Sequence, residues 1–158
     1  MANTQSMCTS FMSELLTATH NFGTAPVRAA STADTFKGAL YLTTATVNAA
    51  TTAYSATNEV SGTGYTAGGV TVTNATAPAS TNTSATAGTA YWTPSASLTY
   101  TSVTLSTAFD TVLIYNSTQS NKAVSVHTFG SQTVTAGTFT LTMPSNTTST
   151  ALIRLATT

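Results

Sequence analysis

The stretch NEVSGTGYTAGGVTVT, residues 58–73, carries the spacing Gly62-x-Gly64-x-x-x-Gly68-Gly69, and how it is read decides the fold. A glycine-rich loop that cradles phosphate follows a buried strand and opens a helix, whose N-terminus then holds the anion. Here Gly69 is followed by VTVT, with Val70 and Val72 on one face, which is the period of a half-buried strand. No Lys stands between Lys37 and Lys122 to complete a Gly-Lys-Ser/Thr phosphate loop. Glycine supplying positive φ in a tight or bulged β-turn explains the spacing more simply. The stretch is expected to turn the chain between strands, and no nucleotide is expected on it.

The same β pattern runs along the rest of the chain. TFKGALYLTTATV (35–47) offers Phe36, Ala39 and Tyr41, or Leu40 and Leu42, as alternate faces. VTVTNATA (70–77), AYWTP (90–94) and SLTYTSVTLS (97–106) follow, then FDTVLIYNS (109–117) and AVSVHTF (123–129) joined by the polar turn TQSNK. QTVTAGTFTLTMP (132–144) reads as a hairpin about Ala136-Gly137, and ALIRLAT (151–157) closes the series. STNTSATAGT (80–89) is a low-complexity surface turn. About eight short strands spaced by turn signals predict a mainly β chain, an antiparallel sandwich or barrel of jelly-roll-like kind. One helix is expected, in SFMSELLTATHNFG (10–23), where Phe11, Met12, Leu15 and Leu16 share a face. Thr9 or Ser10 suits its cap, and Gly23 with Pro26 its end. The expected division is a helical arm over 1–25 and one β-domain over 26–158.

Composition agrees. About a quarter of the 158 residues are Thr, and only 5% are charged, against about 25% in ordinary proteins. Thr, Val and Tyr pack well on a pleated surface. With 41% hydrophobic residues the chain is not of the disordered kind. Its four cations and four acids are scattered and sum to zero. That is a poor footprint for a nucleic acid, which needs clustered Lys and Arg to displace counterions. A neutral surface also leaves little repulsion between copies, which favours a protein that lives assembled. MANTQSMCTSF lacks the basic and apolar segments of a signal peptide, and no apolar run approaches the ~20 residues of a membrane span. No membrane partner is expected. The lone Cys8 cannot form an intrachain disulfide. The Asn-x-Ser/Thr matches at Asn74, Asn82, Asn116 and Asn146 are what chance yields in so Thr-rich a chain.

Catalytic material is thin. His20 ends the helix candidate and His127 lies within a strand, and both read as hydrogen-bonded structural residues. Glu14, Asp34, Glu59 and Asp110 are far apart in sequence, Asp110 reads as a turn cap, and no Cys/His cluster or G-x-S-x-G elbow occurs. Neither an enzyme nor a bound metal or cofactor is expected. Tyr91, Trp92 and Tyr100 cluster in AYWTPSASLTY, and aromatic clusters either pack in cores and interfaces or form platforms for sugars. Core and interface packing is the expectation.

EVSGTGYTAGGVTVT, followed by YWTPSASLTYTSVTLSTAFDTVLIYNSTQSNKAVSVHTFGSQTVTAGTFTLTMP, resembles a family of small tailed-bacteriophage virion structural proteins. SMCTSFMSELL and HNFGTAPVRAASTADTFKGALY resemble the same family, so the likeness covers nearly the whole chain. The resemblance implies a virion protein on the capsid surface, a decoration or cement protein that binds the major capsid protein and its own copies, as a homotrimer or another closed oligomer. It transfers no catalytic residue. In that setting Phe11, Met12, Leu15 and Leu16 are the expected capsid or subunit contacts. A tail, neck or fibre module with Tyr91 and Trp92 facing a glycan is the other reading that the same composition allows.

Overall fold

The computed structural model describes residues 3–8, 11, 15, 19–20, 22, 33–73, 77–81 and 88–156. The described elements are strands: β1 (Ser6–Met7), β2 (Phe36–Leu42), β3 (Val70–Thr71), β4 (Ala79–Ser80), β5 (Thr89–Trp92), β6 (Leu98–Asn116), β7 (Lys122–Leu141) and β8 (Ile153–Ala156). They form a five-stranded sheet in the order β1-β7-β6-β2-β3 and a three-stranded sheet in the order β4-β5-β8. Every pairing is antiparallel. The mainly β, antiparallel expectation holds.

The centre of the molecule is the β6–β7 hairpin, of 19 and 20 residues. Four separate segments were expected there, with a hairpin at Ala136-Gly137. The chain instead runs straight through both sites. The register explains how. From Tyr100↔Phe139 to Val103↔Gly137, β6 advances three residues against two, and on to Leu105↔Val134 it advances two against three. The next steps, to Phe109↔Gln132 and to Thr111↔Thr128, are four against two and two against four. Over these four steps each extra residue on one strand is returned by the other, and one further slip, from Ile114↔Ser125 to Tyr115↔Ala123, remains beside the turn. Ser102 (φ 54°) and Ala136 (φ 46°) hold the positive φ that these bulges need. The Ala136 N–H is kept satisfied by the Thr104 hydroxyl at 3.0 Å.

The bulges also bend the hairpin back over itself. Phe129 and Phe139 lie on one strand, and their ring centroids are 5.4 Å apart, whereas ten residues of straight strand span about 33 Å. The Tyr100 hydroxyl donates to the Gly38 carbonyl of β2 at 2.8 Å, so the far half of β6 covers the near sheet. Leu98, Val103, Leu105, Phe109, Val112, Leu113 and Ile114 of β6 are all buried, Val112 and Ile114 on one face of the sheet and Leu113 on the other.

The glycine stretch turns the chain, as expected. Gly64, Gly68 and Gly69 have φ of 77°, 87° and 73°. It lies pinned along the sheet rather than free: Thr63 bridges Thr104, and Glu59 bridges Tyr41. The strand expected over 70–77 is regular only at Val70–Thr71, and residues 74–76 lie outside the described ones.

The N-terminal region differs from a separate arm. Ser6 and Met7 pair with Val126 and Ser125 at the edge of the main sheet. The Asn3 amide donates to the Leu42 carbonyl at 3.2 Å and to Asp110 at 2.9 Å. Most of the expected helix over 10–23, with Met12 and Leu16, lies outside the described residues. No helix is among the described elements, although the backbone is helical at Phe11 and Leu15.

Candidate interaction surface

Two groups of residues singled out in the sequence converge. Phe11 and Leu15 from the N-terminal region meet Tyr91 and Trp92 of β5 around an open dimple of about 150 Å³. Phe22, Pro78, Ala90, Ile153 and Leu155 complete it, and no charged side chain among the described residues lines it. Its floor is an aromatic stack. Phe22 lies 4.4 Å from Phe36 and 4.7 Å from Trp92 between ring centroids, and Phe11 packs edge-on at 5.8 Å from Phe22. The stack joins the N-terminal region to both sheets, since Phe36 is on β2 and Trp92 on β5.

Burial redistributes the expected roles. Phe11 is 0% exposed and belongs to this chain's own core, so it is not free to dock elsewhere. Leu15 is half-buried. Trp92 is 2% and Tyr100 3% exposed, and only Tyr91 of the three aromatics keeps a partly open ring. Tyr100 stacks on Tyr65 and donates to Gly38, apart from the dimple. Trp92 packs on Phe22 and Phe36, and Tyr100 on Tyr65 and Phe139, so these two rings serve the core and Tyr91 alone keeps open surface. The outward side chain is Leu155, 38% exposed, the one large hydrophobic left exposed among the described residues. Sequence reading passed over it. The alternation in ALIRLAT does place Ile153 and Leu155 on one face, but only the three-stranded sheet shows that this face meets Trp92.

The acids do structural work. Glu59 accepts hydrogen bonds from the Tyr54 hydroxyl (2.6 Å), the Tyr65 hydroxyl (2.8 Å) and the Gly68 N–H (2.7 Å). The Tyr115 hydroxyl donates to the Gly68 carbonyl at 2.8 Å, and that of Tyr41 to the Ser55 carbonyl. The glycine turn is thus tied down by a carboxylate ringed with tyrosines. Burial pushes the hydroxyls of Tyr41, Tyr54, Tyr65, Tyr100 and Tyr115 upward, Tyr41 to about 12. The folded state therefore keeps phenol protons that the unfolded chain sheds above its ordinary value of about 10. Stability is full below pH 10 and falls as pH rises beyond it. A guanidinium titration at pH 8, 10 and 11.5 is expected to show a flat midpoint up to pH 10 and a lower one at 11.5. Tyrosinate absorbance from the five buried phenols should appear together with unfolding, and ionisation of more than one of the six tyrosines in folded protein near pH 10 would refute the network, since only Tyr91 lies outside it.

At the other end, buried Asn116 organises the β6–β7 turn. Its amide donates to Asp34 at 2.7 Å and lies 3.1 Å from Nδ1 of His20, while its carbonyl accepts the N–H groups of Thr118 and Gln119. An amide so engaged is not a glycosylation acceptor. Asp110 accepts from Asn3 and from the Thr111 hydroxyl, tying the N-terminus down rather than capping a turn. His127 faces Ser125, with Nε2 2.8 Å from the hydroxyl oxygen, and burial lowers its pKa to about 4. No group of three or more His, Cys, Asp or Glu side chains comes together among the described residues. No described helix is long and apolar enough to cross a membrane. No protein-family model, curated protein or solved structure matches the chain.

Proposed function

We propose that this chain is a structural virion protein of a tailed bacteriophage, a capsid decoration or cement protein. It packs its two sheets as a sandwich, binds the major capsid protein and its own copies in a closed oligomer such as a homotrimer, and catalyses no reaction. The observation that carries the reading is the uncharged dimple with exposed Leu155 at its rim. Covering such a spot stabilises an interface weakly, since full burial of a Leu contributes only about 1.5–3 kcal/mol. A weak contact suffices when symmetry repeats it many times and linked copies bind together. The near absence of charge removes the repulsion that would oppose close placement of copies. The likeness to phage virion proteins supplies the partner.

Leu155→Asp tests the proposal, because the side chain is exposed in the lone chain and the change should leave folding intact. Stripped capsids re-incubated with the variant are expected to carry at least tenfold less of it than of wild type. Unchanged decoration would refute the role of the dimple. Wild-type protein found only at the tail or neck of purified particles would refute the cement reading itself.

A further inference from the structure

A second cavity, which shares Ile153 with the dimple, is unlike it. It is a cleft of about 510 Å³ between the main sheet and the segment Leu141–Arg154, within the ~300–1,000 Å³ usual for small-molecule sites. Its floor follows from register. Val112 pairs with His127, Ile114 with Ser125, and Met7 with Ser125, so Met7, Val112, Ile114 and His127 form one contiguous patch. Three of the four are aliphatic or thioether. Among the described residues no aromatic ring lines the cleft except the imidazole, so they offer no platform for a stacked sugar.

The charge distribution is one-sided. Arg154 stands exposed at the mouth, and no carboxylate among the described residues lines the cleft. The described acids are all engaged elsewhere. Asp34 accepts from Asn116 and Gln119, Glu59 from two tyrosines and a backbone N–H, and Asp110 from Asn3 and Thr111. Arg154 is exposed and makes no ion pair among the described residues, so its guanidinium is open to an anion from outside. The imidazole of His127 is neutral near pH 7, which leaves Arg154 the single charge of the site.

We propose that this cleft binds a small organic acid, a carboxylate on a short aliphatic body, with the carboxylate against Arg154 at the mouth and the body over the half-buried Met7, Leu141 and Met143, above the buried floor. The site is independent of the virion reading and stands or falls without it. Hexanoate is the probe, with hexanol and acetate as controls, titrated into nitrogen-15-labelled full-length protein. Hexanoate is expected to give saturable shifts at the Met7, Val112, Ile114 and His127 amides, with hexanol and acetate each at least about fivefold weaker, as loss of one charged contact or of the apolar burial implies. Arg154→Gln should bring hexanoate down to the level of hexanol while the amide spectrum stays folded. Absence of saturable shifts, hexanol binding equal to hexanoate, or unaltered hexanoate binding in R154Q would each overturn the proposal.

Discussion

Gly69→Ala is expected to destabilise the protein by about 3–4 kcal/mol, which for a chain of this size lowers the melting temperature by roughly 6–15 °C. Two costs add. At φ 73° an alanine sits in left-handed backbone, at about 1–2 kcal/mol. The added Cβ also falls 1.7 Å from the Gly38 carbonyl oxygen and 2.8 Å from Cα of Ala39. Those are backbone atoms of β2, and Gly38 is paired with Ile114 on one side and Val70 on the other. Neither atom can yield without loosening the centre of the main sheet. Gly68→Ala is the internal control. Its φ is 87°, yet a Cβ there meets only the Tyr115 hydroxyl, at 3.0 Å, a side-chain contact that a shift of a few tenths of an ångström relieves. It should cost about half as much, chiefly the backbone conformation. Equal losses in paired thermal and guanidinium melts would mean that Gly69 is needed only for its φ, and would refute the close approach of the turn to β2.

That turn shows what the sequence could convey. Period-two alternation after Gly69 and the absence of a following helix identified a β-turn, and the structure places positive φ at three of its glycines. Strand existence was equally legible from alternation. Strand continuity was not. Ala136 in left-handed backbone and the slips that cancel between β6 and β7 leave no local mark, because a bulge on one strand makes sense only beside its opposite number. Hence Ala136-Gly137 read as a reversal of the chain when it is a kink within one strand. The same limit hid Glu59. Its partners Tyr54 and Tyr65 are close in sequence, but Tyr115 reaches the turn from β6, and only folding shows the ring of phenols. Phe11, from its place on one helical face, and Trp92, from its aromatic cluster, read in the sequence as candidate contacts. Their mutual burial follows from Phe22 and Phe36, which stack between them.

Trp92→Ala carries this last point to a measurable result. Trp92 is 2% exposed and packs on Phe22 and Phe36 at 4.7 and 6.2 Å, and truncating such a ring costs about 3–5 kcal/mol through lost burial and the cavity left behind. Tyr91→Ala, next to it but partly open, should cost about 1 kcal/mol or less. The pair separates the two roles that an aromatic cluster can play. A glycan platform requires Trp92→Ala to melt like wild type while losing its sugar. A core requires it to melt far lower, whatever it binds. Because Trp92 also lines the dimple, the truncation opens that dimple toward the stack beneath, and capsid decoration should fall together with stability. Leu155→Asp should abolish decoration at unchanged stability. If Trp92→Ala decorates poorly yet melts normally, the ring acts at the surface and the account of the stack is wrong. If it melts low and Leu155→Asp alone decorates poorly at full stability, Trp92 builds the surface and Leu155 makes the contact.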